Sequence, residues 1–260
     1  MKLATYRRVL LTALSLMIPA LILTIAFIGL QIAPFGDNTL IISDGNGLYI
    51  NFMSFASRMM AGQEGLAFSF EKGLGENLMG SQAWFLLNPT FSLFSLFDIV
   101  NYPTAYTVVC VVNLSLCGLT MYLLLEDEHG AQPSNLIFST SYALCGFNVA
   151  NIFNVNFFAG IELLPLVVLG IRKLFQHKSS LVYIVSLSYC IATNFYFGYM
   201  VLIASILIFV AYLYVDRDRV SDLKALVLCF GIATVAAGMI AAIVWLPALL
   251  SMRGGRLDRR

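Results

Sequence analysis

The chain has 260 residues, 60% of them hydrophobic and only 11% charged, with 15 Lys and Arg against 14 Asp and Glu. A soluble domain carries about 45–50% apolar and about 25% charged residues, and a water-soluble globule cannot hide this much apolar surface behind so few charges. The formal charge of +1 offers no electrostatic argument for nucleic acid or an acidic partner.

The charges are also unevenly spread. No Asp, Glu, Lys or Arg occurs in residues 9–36, 99–125, 130–161, 179–215 or 225–252. A membrane-spanning helix needs roughly 20 mostly apolar residues, so each run is long enough for at least one. No period-two alternation of barrel strands appears, and the expected fold is therefore all-α, a polytopic transmembrane helix bundle. Lys2, Arg7 and Arg8 precede the apolar stretch Val9–Leu30, as in a signal sequence. That stretch exceeds a signal h-region of about 7–15 residues and no A-x-A cleavage pattern follows, so it is expected to stay attached as the first span. Cys110, Cys117, Cys145, Cys190 and Cys229 all fall in apolar runs without a CxxC pair, which reads as packing.

Basic residues in short loops favour the cytoplasm. Lys2, Arg7 and Arg8 place the N-terminus inside, and the clusters Arg172, Lys173, Lys178 and Arg217, Arg219, Lys224 should be inside too. Two ambiguous segments decide whether they are. Trp84–Phe97, 14 residues with Asn88-Pro89 inside, is short for a crossing and reads as interfacial or re-entrant. Residues 179–215 read as a tight helical hairpin turning near Asn194 and Gly198. Seven spans follow, near residues 9–30, 104–125, 135–153, 157–175, 181–194, 197–215 and 225–250, with an eighth if Trp84–Phe97 crosses. The basic tail Arg253, Arg256, Arg259 and Arg260 then falls outside, against the rule. A chain forming one membrane domain, the N-terminal piece of a longer membrane protein, accounts for that.

The polar first loop, residues 31–81, is expected outside the membrane and holds Asp37, Asp44, Glu64, Glu71 and Glu76 against Arg58 and Lys72. Pro34–Thr39 reads as a turn, and Ser43-Asp44-Gly45-Asn46-Gly47 as a second whose glycines free the backbone. Leu48–Met60 has helical apolar spacing and reads as an amphipathic helix at the membrane surface. Ser69–Asn77 is a Gly-rich loop. An Asp held between a span and an interfacial helix suits general-base work on a hydroxyl, or a divalent cation. The plainer reading of Asp44, and more so of Asp37, is a solvated turn aspartate. Arg58 and Lys72 suit a phosphate, against lipid headgroups or plain solvation. Glu162 is the one ionisable residue deep in an apolar run; such carboxylates face a bundle interior, unless the preceding Asn151, Asn154 and Asn156 mark an interface. Asn194, Tyr196 and Tyr199 sit at the hairpin turn, where an aromatic belt alone explains the tyrosines.

These features together resemble the YfhO-type bacterial membrane proteins of the C-type glycosyltransferase superfamily. The carriers are Pro34-Phe35-Gly36-Asp37, Ile42-Ser43-Asp44 before Tyr49, Phe70–Asn77, Leu87-Asn88-Pro89, Tyr142–Phe147, Leu164-Pro165-Leu166 with Gly170-Ile171, and Asn194–Met200. Each is a weak motif; their order and spacing carry the resemblance along nearly the whole chain. It implies a polyprenyl-phosphate-linked sugar donor and an extracytoplasmic acceptor, a cell-wall glycopolymer or glycolipid, handled at the bacterial cytoplasmic membrane. It also implies an acidic residue in the first outside loop, as base or metal ligand, which carries over to Asp44, with Glu76 a second candidate. Asp37, Tyr49, Arg58, Lys72, Asn77, Glu162, Asn194 and Tyr196 are the candidate substrate-binding residues. Two departures stand out. Leu48 occupies a position where Gln is expected, and Phe157-Phe158-Ala159 replaces an expected Trp-Leu-Asp stretch, although Glu162 lies one helical turn on. The rival class, a transporter or lipid flippase, would need discontinuous helices and polar residues lining a path through several spans, for which Asn148, Asn151, Glu162 and Asn194 are the candidates. An inactive remnant or scaffold is the third reading.

Overall fold

The computed structural model describes residues 2–65, 68–70, 75, 88–176, 178–215 and 222–257. Among these the chain is helical, with no β-strand. It divides into two compact units, residues 1–65 with 88–162 and residues 66–87 with 163–260.

In the first unit, α1 (Lys2–Gly29) packs on α3 (Tyr102–His129), and α3 on α4 (Ser134–Ala143). At 28 residues each, α1 and α3 reach about 42 Å, more than a bilayer core of roughly 30 Å. They run antiparallel. Arg8 Nε stands 2.9 Å from Glu126 Oε1 at one end, and Ser15 meets Gly118 further along. Gly118 is obligatory there, because a Cβ would lie 2.7 Å from the Ser15 carbonyl oxygen. Pro19 has no N–H to offer that carbonyl, so the freed oxygen turns toward α3 at a point where only a small residue fits. The antiparallel pair puts the polar segment after α1 at the end opposite Arg7 and Arg8.

Residues 135–153, expected as one span, are broken. After α4 the backbone turns at Leu144 and restarts at Cys145 as a short α5 (Gly146–Ala150). Buried Asn148 donates from Nδ2 to the carbonyls of Tyr142 (2.9 Å) and Ala143 (3.1 Å), satisfying orphan groups of the interrupted helix. Ala143 packs beside Gly118, so the interruption sits level with the middle of α3. The α6 helix (Phe158–Phe175) then carries Pro165, which leaves the Ile161 carbonyl without its partner. The Tyr142 hydroxyl supplies it, donating across to the Ile161 oxygen at 2.7 Å. Tyr142→Phe should therefore cost about 1–2 kcal/mol, the desolvation of an unpaired carbonyl. Combined with Pro165→Ala, which restores the backbone donor, the cost should shrink below about 0.5 kcal/mol, a coupling readable in a double-mutant cycle of detergent-phase melting.

The second unit is built on α7 (Leu181–Thr193), α8 (Phe195–Val215) and α9 (Leu223–Ile240). A single residue, Asn194, separates α7 from α8; its Oδ1 accepts from the N–H groups of Tyr196 and Phe197 at 3.1 Å each and so caps α8. The two helices fold back on each other as the expected hairpin. A Cβ on Gly198 would meet Ile191 Cα at 2.5 Å, and Tyr183 Oη reaches Ser205 Oγ at 3.1 Å, both pairs lying about equally far from Asn194. The same Tyr183 hydroxyl meets Thr234 Oγ1 of α9 at 2.9 Å, and Phe209 stacks on Phe230 at 4.0 Å. Around them Val167, Ile171, Leu187 and Ala237 form the core. A further helix, α10 (Ala242–Leu257), begins just after Ala241.

Among the described residues, five helices are long and apolar enough to cross a membrane: Thr5–Gly29, Tyr102–His129, Val155–Phe175, Phe195–Val215 and Leu223–Ile240. The remaining expected spans differ. Leu181–Thr193 has 13 residues, about 20 Å, and residues 135–153 are interrupted as above. The run 225–250 breaks at Ala241, so its first part alone has spanning length. Of the segment Trp84–Phe97, residues 84–87 lie outside the described residues, and Pro89–Leu96 is a 3₁₀ helix of 8 residues, about 16 Å.

Candidate functional site

The expected outside loop is an ordered part of the first unit up to Gly65. Both predicted turns are present. Gln31 leaves α1 with φ of 51°, and Asn38 closes the first turn by donating from its N–H to the Gln31 carbonyl and from Nδ2 to the Leu30 carbonyl (3.0 and 2.8 Å). Gly36 is confined by Gln31, 2.6 Å from where a Cβ would lie, and Asp37 is exposed on this turn.

Asp44 lies on the second turn. Ser43 takes a left-handed φ of 50°, and its carbonyl accepts from Asn46 (3.1 Å) and Gly47 (3.3 Å). Asp44 then stands at the N-cap of a single π turn, Gly45–Tyr49, which runs into α2 (Ile50–Met60). Its carboxylate makes no capping bond and is exposed. Beneath it the packing is dense. Gly45 lies against Tyr106, where a Cβ would come 2.9 Å from Oη, and Tyr49, Met53, Phe55, Phe91 and Phe94 are buried. The result is an exposed carboxylate over a buried, largely apolar floor.

Burial, with the Asp44 charge second, pushes the Tyr49 hydroxyl up to about 12. Tyr49 is therefore a neutral donor or acceptor beside Asp44 at physiological pH. Its folded-state proton is held more tightly than the unfolded one, which leaves near pH 10. The stabilisation is complete below pH 10 and is lost as pH rises to about 12. Tyr49→Phe should flatten that part of a melting-temperature profile measured from pH 9 to 12.

Arg58 is half-buried on α2, donates from Nη1 to Ser54 Oγ at 3.0 Å, and stands 5.7 Å over the Phe55 ring. Lys72, Glu76 and Asn77 lie outside the described residues. Glu162 is in the first unit, nine-tenths buried on α6. Asn194 and Tyr196 belong to the second unit: Asn194 is buried as the α8 cap, and Tyr196 is exposed with its ring edge-on to Phe197. Among the described residues, no three His, Cys, Asp or Glu side chains come together to hold a metal ion.

The sequence reading missed the link between the loop and the bundle. Tyr106, Cys110, Asn113 and Cys117 share one face of α3 at i, i+4, i+7 and i+11, and all are fully buried. Tyr106 Oη donates to the Phe153 carbonyl, Cys110 Sγ to Ile152 (3.2 Å) and Asn113 Nδ2 to Val155 (3.4 Å). Cys117, next along, lies within electrostatic reach of Glu162. This polar seam starts under the Asp44 turn and descends to Glu162. Its spacing was visible in the sequence as a periodic polar stripe within an apolar run.

No curated protein and no solved structure matches the chain. Residues 15–256, nearly the whole length and parts of both units, match the family described as bacterial membrane protein YfhO, and the chain belongs to that family.

Proposed function

We propose that the protein is an inverting glycosyltransferase of the cytoplasmic membrane, moving a sugar from a polyprenyl-phosphate-linked donor to an extracytoplasmic cell-envelope acceptor. The observation that carries this reading is Asp44, an exposed carboxylate held on an ordered turn over the buried Tyr49 and Tyr106. Asp44 takes the proton of an acceptor hydroxyl as its oxygen attacks the anomeric carbon. The bond from that carbon to the lipid phosphate breaks, and Arg58 or Lys72 offsets the charge of the departing phosphate. Glu76 is the second acidic candidate, and Asp37, Tyr49 and Asn77, from the same sequence segment 31–81, are the candidate groups for sugar hydroxyls. Lys72, Glu76, Asn77, Asn194 and Tyr196 all fall in the second unit and belong to this reading only if that unit contributes to the site. The N-terminus is cytoplasmic in this scheme, which follows from Arg7 and Arg8 at the opposite end of the antiparallel α1–α3 pair.

The test is the glycan composition of the envelope in cells whose only copy carries Asp44→Asn. Loss of one glycan at normal protein level supports the assignment; unchanged glycosylation sinks it. One observation favours a transporter or flippase instead: helices interrupted at Leu144 and Ala241, as in folds with discontinuous spans. Lipid scrambling by purified protein in vesicles, without sugar transfer, would establish that second reading.

A further inference from the structure

Glu162 is 9% exposed within a helix of spanning length, and no basic side chain pairs with it among the described residues. A carboxylate in such a place is costly unless something positive or hydrogen-bonding meets it. Its electrostatic neighbours are Cys117 and Tyr142, and the Tyr142 hydroxyl already donates to the Ile161 carbonyl. The deficit extends along the seam. The buried amide oxygens of Asn113, one turn from Cys117, and of Asn154 have no hydrogen-bond partner. These two amide oxygens are buried acceptors without donors among the described residues.

The helix break adds to the same sign. Cys117 adjoins Gly118, which packs on Ala143 at the C-terminal end of α4. That end carries the negative pole of the helix, with Asn148 donating to its Tyr142 and Ala143 carbonyls, and stops inside the bundle, level with the middle of α3. A buried acid beside an interrupted helix end is the chemistry that holds a small cation in membrane proteins.

We propose that Glu162, with the oxygen-rich seam of Asn113 and Asn154 leading to it, binds a monovalent cation of the Na⁺ class. One carboxylate charge neutralises one such ion, whereas a divalent ion would leave a buried positive charge. Oxygen donors suit a hard cation. This site is independent of the transfer chemistry assigned to Asp44.

The test uses the purified protein in detergent with dicyclohexylcarbodiimide, which modifies buried carboxyl groups, and peptide mass mapping of the adduct. Glu162 should be labelled in choline chloride, and labelling should fall about tenfold when NaCl replaces it at fixed ionic strength. The melting temperature should rise with NaCl in the wild type and not in Glu162→Gln. Equal labelling in the two salts, or none at Glu162 in choline chloride, overturns the proposal. Should Glu162→Gln fail to fold, the wild-type labelling decides alone, and Asn113→Leu gives a second variant expected to weaken the Na⁺ protection.

Discussion

Asp44→Asn is expected to lower sugar transfer by about 10²–10⁴-fold, the range over which a positioned base accelerates a proton transfer. The amide keeps the size of the carboxylate but cannot accept the acceptor proton. The turn itself should survive, because its backbone bonds run from Ser43, Ile42 and Gly45 and none depends on the Asp44 side chain. The protein should therefore melt as before while transfer collapses. Asp44→Glu, which keeps the charge but moves it, should recover part of the rate. A variant that loses activity only in proportion to its amount in the membrane would assign Asp44 a structural role instead.

The second large effect concerns stability. Gly170→Ala should destabilise the second unit by about 2–3 kcal/mol, as overpacking does where the obstacle cannot move. A Cβ on Gly170 would lie 2.5 Å from both Cα and N of Tyr183, which are backbone atoms. Separating α6 from α7 there would also pull on Tyr183, whose hydroxyl joins Ser205 and Thr234. Gly231 of α9 is the control: nothing lies within 4 Å of its added Cβ. Gly231→Ala should be neutral or slightly stabilising, since alanine is the better helix former. Melting curves of the two variants in the same detergent compare them, and equal behaviour would contradict the close α6–α7 approach.

Much of this architecture is legible in the sequence because the strongest signal, long charge-free runs, is also the physical cause of the helices. The hairpin at Asn194 is legible for a local reason: an Asn between two apolar runs caps the second with its own side chain. The turns around Asp37 and Asp44 are legible for a similar reason, since Gly36 and Gly45 stand where a side chain would collide. The break in residues 135–153 is not legible in that way. Asn148 repairs the broken helix end, and nothing in the run Tyr142-Ala143-Leu144-Cys145 announces the interruption. The Ala241 break has equally quiet surroundings, although Trp245 Nε1 donates to the Gly238 carbonyl across it at 2.8 Å. The burial of Glu162 depends on tertiary neighbours, α3 and α4, which no local pattern specifies. Pro165 was visible, but that Tyr142 replaces its missing donor required knowing which helices meet.

The most direct measurement is transfer by purified protein in liposomes holding a polyprenyl-phosphate sugar, with an acceptor hydroxyl supplied on the face that carries the Asp44 loop. The account predicts a glycosylated acceptor of inverted anomeric configuration, free polyprenyl phosphate in equal amount, and loss of both with Asp44→Asn. Transfer that persists in Asp44→Asn, or product of retained configuration, would contradict it.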